Sequence, residues 1–354
     1  MMNHVHNRTT GNATNIKFIE NLKTIFMDLA ASVQAVTEEA VLRLTRSLAT
    51  ETGSRNLCLA GGVALNCVAN GRILREGPFE NIWIQPAAGD AGSSLGVALA
   101  IANAKSDDKT GGECLPRVNG ADAMQGAFLG PDYSEGEIRK TLETFDATYE
   151  EMTDDALFPF VAGKLGSEKI IGWFQGRMEF GPRSLGNRSI LGDPHSAAMQ
   201  QTLNLKIKYR ESFRPFAPAV LNEDVREYFD LDTASPYMLL VSDVTRDKLL
   251  DLSAEDQAKT GFDKLNVVRS DVPAITHVDN SARVQTVHIE TNPRFHRLLS
   301  SFKKETGRGV LVNTSFNVRD EPIVCSPEDA YRCFMATEMD VLVLGNYVLA
   351  KEQQ

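Results

Sequence analysis

A concentration of basic residues between Gly172 and Pro218 is the strongest chemical signal in the sequence. Seven Lys or Arg residues stand there against three acidic ones, although the whole chain carries a net charge of −10. The basic residues are Arg177, Arg183, Arg188, Lys206, Lys208, Arg210 and Arg214. Guanidinium groups bind tetrahedral and planar oxyanions in bidentate fashion, and an ammonium group adds a point charge. The pattern therefore predicts a phosphate-binding site.

Apolar residues are interleaved with these charges. They are Phe180, Pro182, Phe213, Pro215 and Phe216. A basic run is most often a solvated surface, but such a surface does not need buried aromatic residues between its charges. Glycines at positions 176, 181 and 186 would also let the backbone come close to a ligand.

Two further polar segments of the sequence are ambiguous when each is taken alone. Asn313–Asn317 follows a predicted buried strand, where ligands often bind in α/β proteins, although polar strand ends are usually simple turns. Thr276–Arg283 contains one histidine and one arginine, a combination that is more often structural than catalytic.

Near the N-terminus, two glycine-containing turns each lie between a predicted strand and a predicted helix. Gly61–Asn66 and Gly89–Ser94 could present free helix amides to phosphate, and the Asp90 carboxylate could hold a metal ion. Close packing of a helix on a sheet would explain the same glycines.

The composition limits the class of protein. The chain of 354 residues is 42% hydrophobic, which is enough for two domains, and its negative charge argues against general nucleic-acid binding. Five scattered cysteines without a CxxC pair favour neither a zinc site nor a disulfide framework and suit a reducing cytoplasm. The sequence shows no bilayer-spanning segment and no signal peptide. We therefore expect a cytoplasmic protein without membrane or nucleic-acid partners.

The elements that must position these residues follow the order of strands, turns and helices that is typical of α/β domains. The first part predicts helices near residues 26–51, 63–74 and 95–104, strands at 56–60 and 81–85, and a turn at 86–94. Residues 106–124 are polar and without periodicity, which predicts a linker. Beyond it, the sequence predicts strands at 169–174, 238–241 and 310–312, a helix from Ser326 to about Met339, and a hairpin at 341–350.

Taken together, these phrases resemble the carbamoyltransferases of the NodU and TobZ type, from about Asp28 onward. The resemblance implies an α/β protein with a partial actin-like ATPase domain at 1–105, a linker at 106–124 and a YrdC-like domain at 125–354. It implies that the YrdC-like part makes carbamoyl-adenylate from carbamoyl phosphate and ATP. It implies that the actin-like part passes the carbamoyl group to a hydroxyl of a small acceptor, such as a sugar, with help from an iron ion.

The resemblance also implies roles for individual residues. Those matched to catalysis are Arg183, Lys208, Arg214 and Arg283. Those matched to substrate binding are Ser184, Arg188, Arg210, Asn313 and Ser315. Gly61, Gly62 and Asn66 match the nucleotide-binding turn, and Asp90 matches the metal-binding aspartate.

One feature departs from the family pattern. The family's metal site uses two histidines four residues apart on a helix, and no two of the six histidines here have that spacing. We therefore expect the first half of the actin-like domain to be missing, so that a partner chain would have to supply it. Two alternatives remain: a non-catalytic remnant that binds nucleotide or carbamoyl phosphate, and an RNA-directed YrdC relative, against which the net charge counts.

Overall fold

The computed structural model describes residues 6–106 and 122–354. The described residues fall into two compact units, one formed by the chain up to residue 57 with 68–83, and one formed by 58–67 with 84–354. Most of the predicted linker at 106–124 lies outside the described residues, so the domain boundaries drawn from the sequence stay predictions.

The N-terminal region contains three helices and one small sheet. The helices are α1 (His6–Thr52), α2 (Cys67–Glu76) and α3 (Asp90–Ser106), and the strands β1 (Asn56–Leu59) and β2 (Asn81–Ile84) pair with each other. The first helix thus begins well before the predicted start. The predicted helix at 63–74 is instead a 3₁₀ turn, Gly62–Leu65, followed by α2. The predicted turn at 86–94 extends too far, because Asp90 already begins α3.

The second unit is built on a nine-stranded mixed sheet. Its strands are β3 (Glu150–Glu151), β4 (Ile171–Phe174), β5 (Arg188–Gly192), β6 (Ala217–Leu221), β7 (Leu240–Asp243), β8 (Ser281–Val287), β9 (Val310–Ser315), β10 (Val341–Leu344) and β11 (Tyr347–Ala350). Their order is β3-β11-β10-β4-β5-β9-β6-β8-β7. β10 with β4 and β6 with β8 are parallel pairs, and the other neighbours are antiparallel. The predicted α/β class is therefore confirmed as a mixed α/β fold.

Eight helices of this region accompany the sheet. They are α4 (Glu135–Thr144), α5 (Asp154–Gly166), α6 (Met199–Thr202), α7 (Val225–Tyr228), α8 (Ala254–Ala258), α9 (Gly261–Leu265), α10 (Pro293–Thr306) and α11 (Pro327–Met335). Helices α5 and α10 pack against each other over the sheet. The buried face of α10 repeats at helical spacing through Phe295, Leu298, Leu299 and Phe302. Burying each such side chain stabilises the fold by about 1.5–3 kcal/mol, which fixes the strands that carry the polar residues.

The predicted C-terminal helix and hairpin are confirmed, except that the helix is shorter than predicted. Ser326 and Asp329 form a capping box at the start of α11, but the helix ends at Met335 rather than near Met339. β10 and β11 form the predicted hairpin, with Leu344 opposite Tyr347. None of the helices in the described ranges has the length and apolar character to cross a bilayer.

Candidate functional site

A cavity of about 290 Å³ lies where several chain segments meet in the second unit. Its walls come from the loop between β4 and β5, the segment before β6, and strands β8 and β9. The residues singled out from the sequence that line it are Arg183, Ser184, Arg210, Arg214, Arg283, Asn313 and Ser315. The structure thus brings together seven side chains that lie up to 132 positions apart in the sequence.

The cavity is strongly positive because its arginines are only partly compensated. Burial lowers the pKa of Arg183, and burial followed by the charge of Arg183 lowers the pKa of Arg283. Both groups stay protonated, since a guanidinium does not lose its proton in proteins. Among the described residues, the acid paired with a cavity arginine is Glu211, whose Oε2 lies 3.0 Å from Arg214 Nε. Such a cavity attracts anions.

Polar atoms without partners also converge on this cavity. Arg183 Nε, Arg283 Nε, Ser184 Oγ and Asn313 Oδ1 are buried and have no hydrogen-bond partner in the described part of the chain. Ser184 and Asn313 are 3% and 1% exposed. A buried polar atom without a partner costs about 1–3 kcal/mol. A ligand with both donor and acceptor atoms would satisfy these groups.

Asn313 connects strand β9 to the loop between β4 and β5 that carries Arg183 and Ser184, which we call the arginine loop. Its Nδ2 donates to Gln285 Oε1 at 2.7 Å and to the backbone oxygen of Ser184 at 3.2 Å. It lies on β9 between β5 and β6, opposite Leu191 and Ala217. The loop is therefore held by the centre of the sheet, and the Asn313 Oδ1 stays available to a ligand.

Lys208 lies behind the cavity wall rather than in it. The residue is 3% exposed, and its Nζ donates to Ser315 Oγ at 3.1 Å, to Asn317 Oδ1 at 2.8 Å and to the backbone oxygens of Ser315 and Asn317. Burial, with the charge of Arg210, lowers the pKa of Lys208 to about 7. The sequence predicted direct contact between Lys208 and the substrate, whereas the structure directs its ammonium to oxygens of Ser315 and Asn317.

Two residues at the site hold a backbone conformation that is unusual for non-glycine residues. Tyr209, directly after Lys208, has φ 48°, and Met238 in the cavity wall has φ 57°. Left-handed conformations of this kind cost about 1–3 kcal/mol and concentrate at functional sites.

The structure does not bring Arg188 to the cavity. This residue is fully buried on β5, and its guanidinium donates to the backbone oxygens of Gln175 at 2.7 Å, Gly176 at 3.1 Å, Asn187 at 3.1 Å and Pro131 at 3.3 Å. It also lies 3.5 Å from the centre of the Phe174 ring. Arg188 therefore holds the fold together instead of facing a substrate.

Glu179 is a residue whose role was missed in the sequence. Its Oε1 accepts from the backbone nitrogens of Leu185 at 2.6 Å, Asn187 at 2.9 Å and Arg188 at 3.3 Å. The carboxylate is 6% exposed and organises the loop that presents Arg183 and Ser184. Glu179 lies inside the basic segment between Arg177 and Arg183, where a lone acidic residue could have suggested this role, because carboxylates accept strong hydrogen bonds from backbone amides.

Two glycines of this loop are closely packed against other parts of the chain. A Cβ on Gly186, where φ is 111°, would lie 2.2 Å from the Phe295 ring, and one on Gly181 would lie 2.9 Å from the backbone oxygen of Pro86. Packing is thus sufficient to explain glycine at these two positions, and the expectation that they let the backbone approach a ligand stays a prediction.

We predict that Glu179→Gln destabilises the protein by about 2 kcal/mol, because an amide oxygen replaces a charged acceptor of three amides. Phosphate affinity should fall at the same time, since the arginine loop loses its anchor. Thermal unfolding and calorimetry with phosphate would measure both changes. As a control, Glu223→Gln alters a largely exposed carboxylate, and it should change neither quantity. Unchanged phosphate affinity in Glu179→Gln would contradict the positioning role.

The predicted nucleotide turn lies beside this cavity within the same unit. Gly61 has φ 91°, and no atom lies within 4 Å of a Cβ built on Gly61 or Gly62, so the turn is open. The backbone nitrogen of Asn66 donates to the Val63 oxygen, and Arg183 Nη2 lies 3.5 Å from the Leu65 oxygen. The structure therefore places an open glycine turn next to the arginine loop.

Asp90 is the first residue of α3, and the described residues do not build a metal site around it. No group of three His, Cys, Asp or Glu side chains in residues 25–103 and 122–354 is arranged to hold a metal ion. The iron ion implied by the resemblance thus does not fit the described residues, and we derive no chemical step from it.

Comparison with known proteins identifies the family. Residues 162–351 match the family described as Carbamoyltransferase C-terminus, and residues 2–99 match Carbamoyltransferase N-terminus. The first match alone covers more than half of the chain, so the protein belongs to the carbamoyltransferase family. The resemblance stated from the sequence is confirmed.

Individual relatives agree with this assignment. The chain is 59% identical over 330 residues to the uncharacterized protein sll1178 of Synechocystis sp., covering 93% of this chain and 53% of that protein. It is 39% identical to the nodulation protein NolNO of Sinorhizobium fredii, covering 92% and 44%. It is 33% identical to the 3'-hydroxymethylcephem-O-carbamoyltransferase of Amycolatopsis lactamdurans, covering 82% and 48%. The chain thus spans about half the length of these relatives.

Comparison with solved structures gives a match to full-length HypF in its phosphate- and nucleotide-bound form. The superposition covers 78% of this chain and 39% of that one at 14% identity, with a TM-score of 0.33. A likeness this distant carries no argument about the site.

Proposed function

We propose that the cavity lined by Arg183, Arg210, Arg214 and Arg283, the arginine cavity, binds carbamoyl phosphate. We also propose that the chain uses ATP to make carbamoyl-adenylate there. The observation that carries the proposal is the convergence of four arginines with the unpartnered Ser184 Oγ and Asn313 Oδ1. The arginines suit the phosphoryl oxygens. The Asn313 oxygen suits the carbamoyl NH₂, which donates, and the Ser184 hydroxyl suits the carbamoyl oxygen, which accepts.

The chemistry of this step requires fixed cations. Water releases phosphate from carbamoyl phosphate and leaves carbamate, whose oxygen then attacks the α-phosphorus of ATP as pyrophosphate departs. Both leaving groups gain negative charge as their bonds break, and preorganised guanidiniums stabilise that charge. In this proposal Arg183 and Arg283 hold the phosphoryl groups, Arg210 and Arg214 hold the departing phosphates, and Lys208 orients Ser315.

Room for the rest of the nucleotide lies close by. A second cavity of about 510 Å³ shares Pro215 with the arginine cavity and is lined by both apolar and polar side chains, among them Val268, Thr276 and Asp279. Cavities of this size and mixture accept small molecules such as a nucleoside. We propose it as the place for the nucleoside of ATP.

The proposed second step transfers the carbamoyl group to a hydroxyl of a small acceptor such as a sugar. The acceptor hydroxyl attacks the carbamoyl carbon, AMP leaves, and the hydroxyl proton is released. We assign this step to the actin-like part, with Gly61, Gly62 and Asn66 at the nucleotide. Because no two histidines of this sequence have the spacing of the family's metal site, a partner chain that supplies the other half of this part belongs to the proposal.

The test is pyrophosphate release by the purified chain without any acceptor. We expect release that requires both carbamoyl phosphate and ATP, since adenylate formation does not need the acceptor. The alternative function, a remnant that binds nucleotide or carbamoyl phosphate without turnover, predicts calorimetric binding of at least one of them and no pyrophosphate. Failure to bind either carbamoyl phosphate or ATP would contradict both functions.

A further inference from the structure

Gln285 and Asn313 form a buried pair of side-chain amides beside the arginine cavity. They lie on β8 and β9, on either side of β6, where Gln285 is opposite Ala219 and Asn313 is opposite Ala217. Residues opposite each other on neighbouring strands share one face of the sheet, so both amides lie over the same face. The small alanine side chains leave them room to meet across β6, and Asn313 Nδ2 lies 2.7 Å from Gln285 Oε1.

Backbone oxygens fix the direction of the hydrogen bonds in this pair, because a carbonyl oxygen can only accept. Gln285 Nε2 donates to the Leu185 oxygen at 2.8 Å, so Oε1 is the end of this amide that faces Asn313. Asn313 Nδ2 donates to that Oε1 and to the Ser184 oxygen at 3.2 Å. A reversed Asn313 amide would place its oxygen against two acceptors. The pair therefore holds the Asn313 amide in one orientation, with Nδ2 toward the protein.

The other end of the Asn313 amide is left for a ligand. Asn313 lines the cavity, and its Oδ1 is buried without a hydrogen-bond partner in the ranges that the structure describes. Gln285 and Asn313 are only 3% and 1% exposed. A buried acceptor of this kind favours a ligand that brings it a donor and disfavours a ligand that covers it with an apolar group.

We propose that Gln285 is a positioning residue that sets the specificity of the cavity. By fixing Asn313 Oδ1 as an acceptor, it makes the cavity select phosphoryl compounds that carry an N–H donor over isosteric compounds that carry a methyl group. A carbamoyl group presents NH₂ where an acetyl group presents CH₃ of nearly the same size, so shape alone separates them poorly. The arginines hold the phosphoryl oxygens of both alike. The inference rests on the proposed function for carbamoyl phosphate as the natural ligand.

The first experiment measures this selectivity by calorimetry on the whole chain. The probes are phosphonoacetamide and acetonylphosphonate, stable compounds that differ only in NH₂ or CH₃ on the carbonyl carbon. We expect phosphonoacetamide to bind at least about tenfold more tightly, because the methyl group leaves Asn313 Oδ1 unpaired. Inorganic phosphate, measured alongside, reports the arginines alone. Equal affinities for the two phosphonates would overturn the inference.

Two variants of Gln285 separate positioning of Asn313 from a merely structural role. Gln285→Glu keeps an oxygen that accepts from Asn313 Nδ2 in either protonation state, whereas Gln285→Met removes that acceptor. The preference for phosphonoacetamide should fall to about threefold or less in Gln285→Met and stay near its natural value in Gln285→Glu. An added negative charge weakens the binding of both probes in parallel, so the ratio is insensitive to it. A ratio that Gln285→Met leaves unchanged would contradict the positioning role.

Thr286→Val is the control for stability. Thr286 is the next residue of β8, it is 1% exposed, and its Oγ1 accepts from the Ser235 backbone nitrogen at 2.8 Å. Its replacement should lower the melting temperature, because a buried donor loses its acceptor, and should leave the ratio of the two phosphonate affinities unchanged. A ratio that falls as far in Thr286→Val as in Gln285→Met would show that loss of stability, rather than loss of positioning, causes the change.

The outcomes separate this inference from the proposed function. Equal phosphonate affinities in a chain that releases pyrophosphate from carbamoyl phosphate and ATP overturn the inference and leave the proposed function standing. A clear preference for phosphonoacetamide without any pyrophosphate release overturns the proposed formation of carbamoyl-adenylate and leaves the selectivity standing. Absence of binding of both phosphonates and of inorganic phosphate overturns both.

Discussion

Replacing Arg183 with methionine should abolish carbamoyl-phosphate-dependent pyrophosphate release and yet stabilise the empty protein by about 1–2 kcal/mol. Arg183 is half-buried beside a second guanidinium, and within the described residues its hydrogen bond is the 3.5 Å contact of Nη2 with the Leu65 oxygen. Burying such a charge without a carboxylate is unfavourable, so an apolar side chain of similar length should increase the free energy of unfolding. The loss of activity should exceed about a hundredfold, since removing a buried charged partner costs about 2–5 kcal/mol.

Arg188→Met is the matched control for that result. Both arginines lie in the same short segment of the sequence, but Arg188 donates to four backbone oxygens. Its removal leaves buried acceptors without donors, and we expect destabilisation by about 3–5 kcal/mol. Denaturant unfolding with and without phosphate would measure both variants. Strong destabilisation by Arg183→Met, or phosphate stabilising that variant as much as the natural protein, would contradict the ligand role of Arg183.

This contrast explains how far the sequence could predict the site. The composition of the basic phrase correctly indicated that arginines gather at one place, because such a density of charge between aromatic residues has few structural uses. It could not separate Arg183 from Arg188, since both are arginines near glycines. What separates them is whether backbone oxygens or an open cavity lie beyond the guanidinium, and that depends on the packing of distant segments such as Pro131.

The strands that carry the site were harder to predict for the same reason. β5, β6 and β8 were not predicted, because Arg188, Pro218 and Arg283 interrupt their apolar patterns. Each interruption is tolerated by the tertiary structure: Arg188 finds carbonyl oxygens and Arg283 faces the cavity. Uninterrupted strands such as β4 and β10 were correctly predicted from their buried apolar runs. These three strands were therefore missed because a charged residue or a proline interrupts their apolar patterns, and of the three, β8 supplies an arginine to the cavity.

The position of Lys208 leads to a second large effect, on pH dependence. With the pKa of Lys208 near 7 in the empty protein, about half of the molecules are neutral there at pH 7. An anion in contact with Ser315 would lie within one side chain of Nζ, and its attraction should raise the pKa of Lys208 by about one unit or more. Anion binding should therefore take up a proton near neutral pH.

The sign of the pH dependence follows from linkage. Because the bound state holds the proton more tightly, affinity is fully present below pH 7 and is lost as the pH rises through the higher pKa of the bound state. Sulfate is the suitable probe, since it does not titrate in this range. We expect its affinity to fall about fivefold or more between pH 7 and pH 8.5.

Calorimetry in buffers of different ionisation enthalpy would measure the proton uptake directly. Lys208→Met should remove both the uptake and the pH dependence, while Lys206→Met, which alters an exposed lysine paired with Glu338, should keep them. Neighbouring groups do not imitate the effect: Arg210 stays charged throughout, and burial raises the pKa of the nearby Cys333 to about 11. Sulfate affinity that stays constant across this range would show that Lys208 keeps its charge in the empty site, held by the oxygens of Ser315 and Asn317.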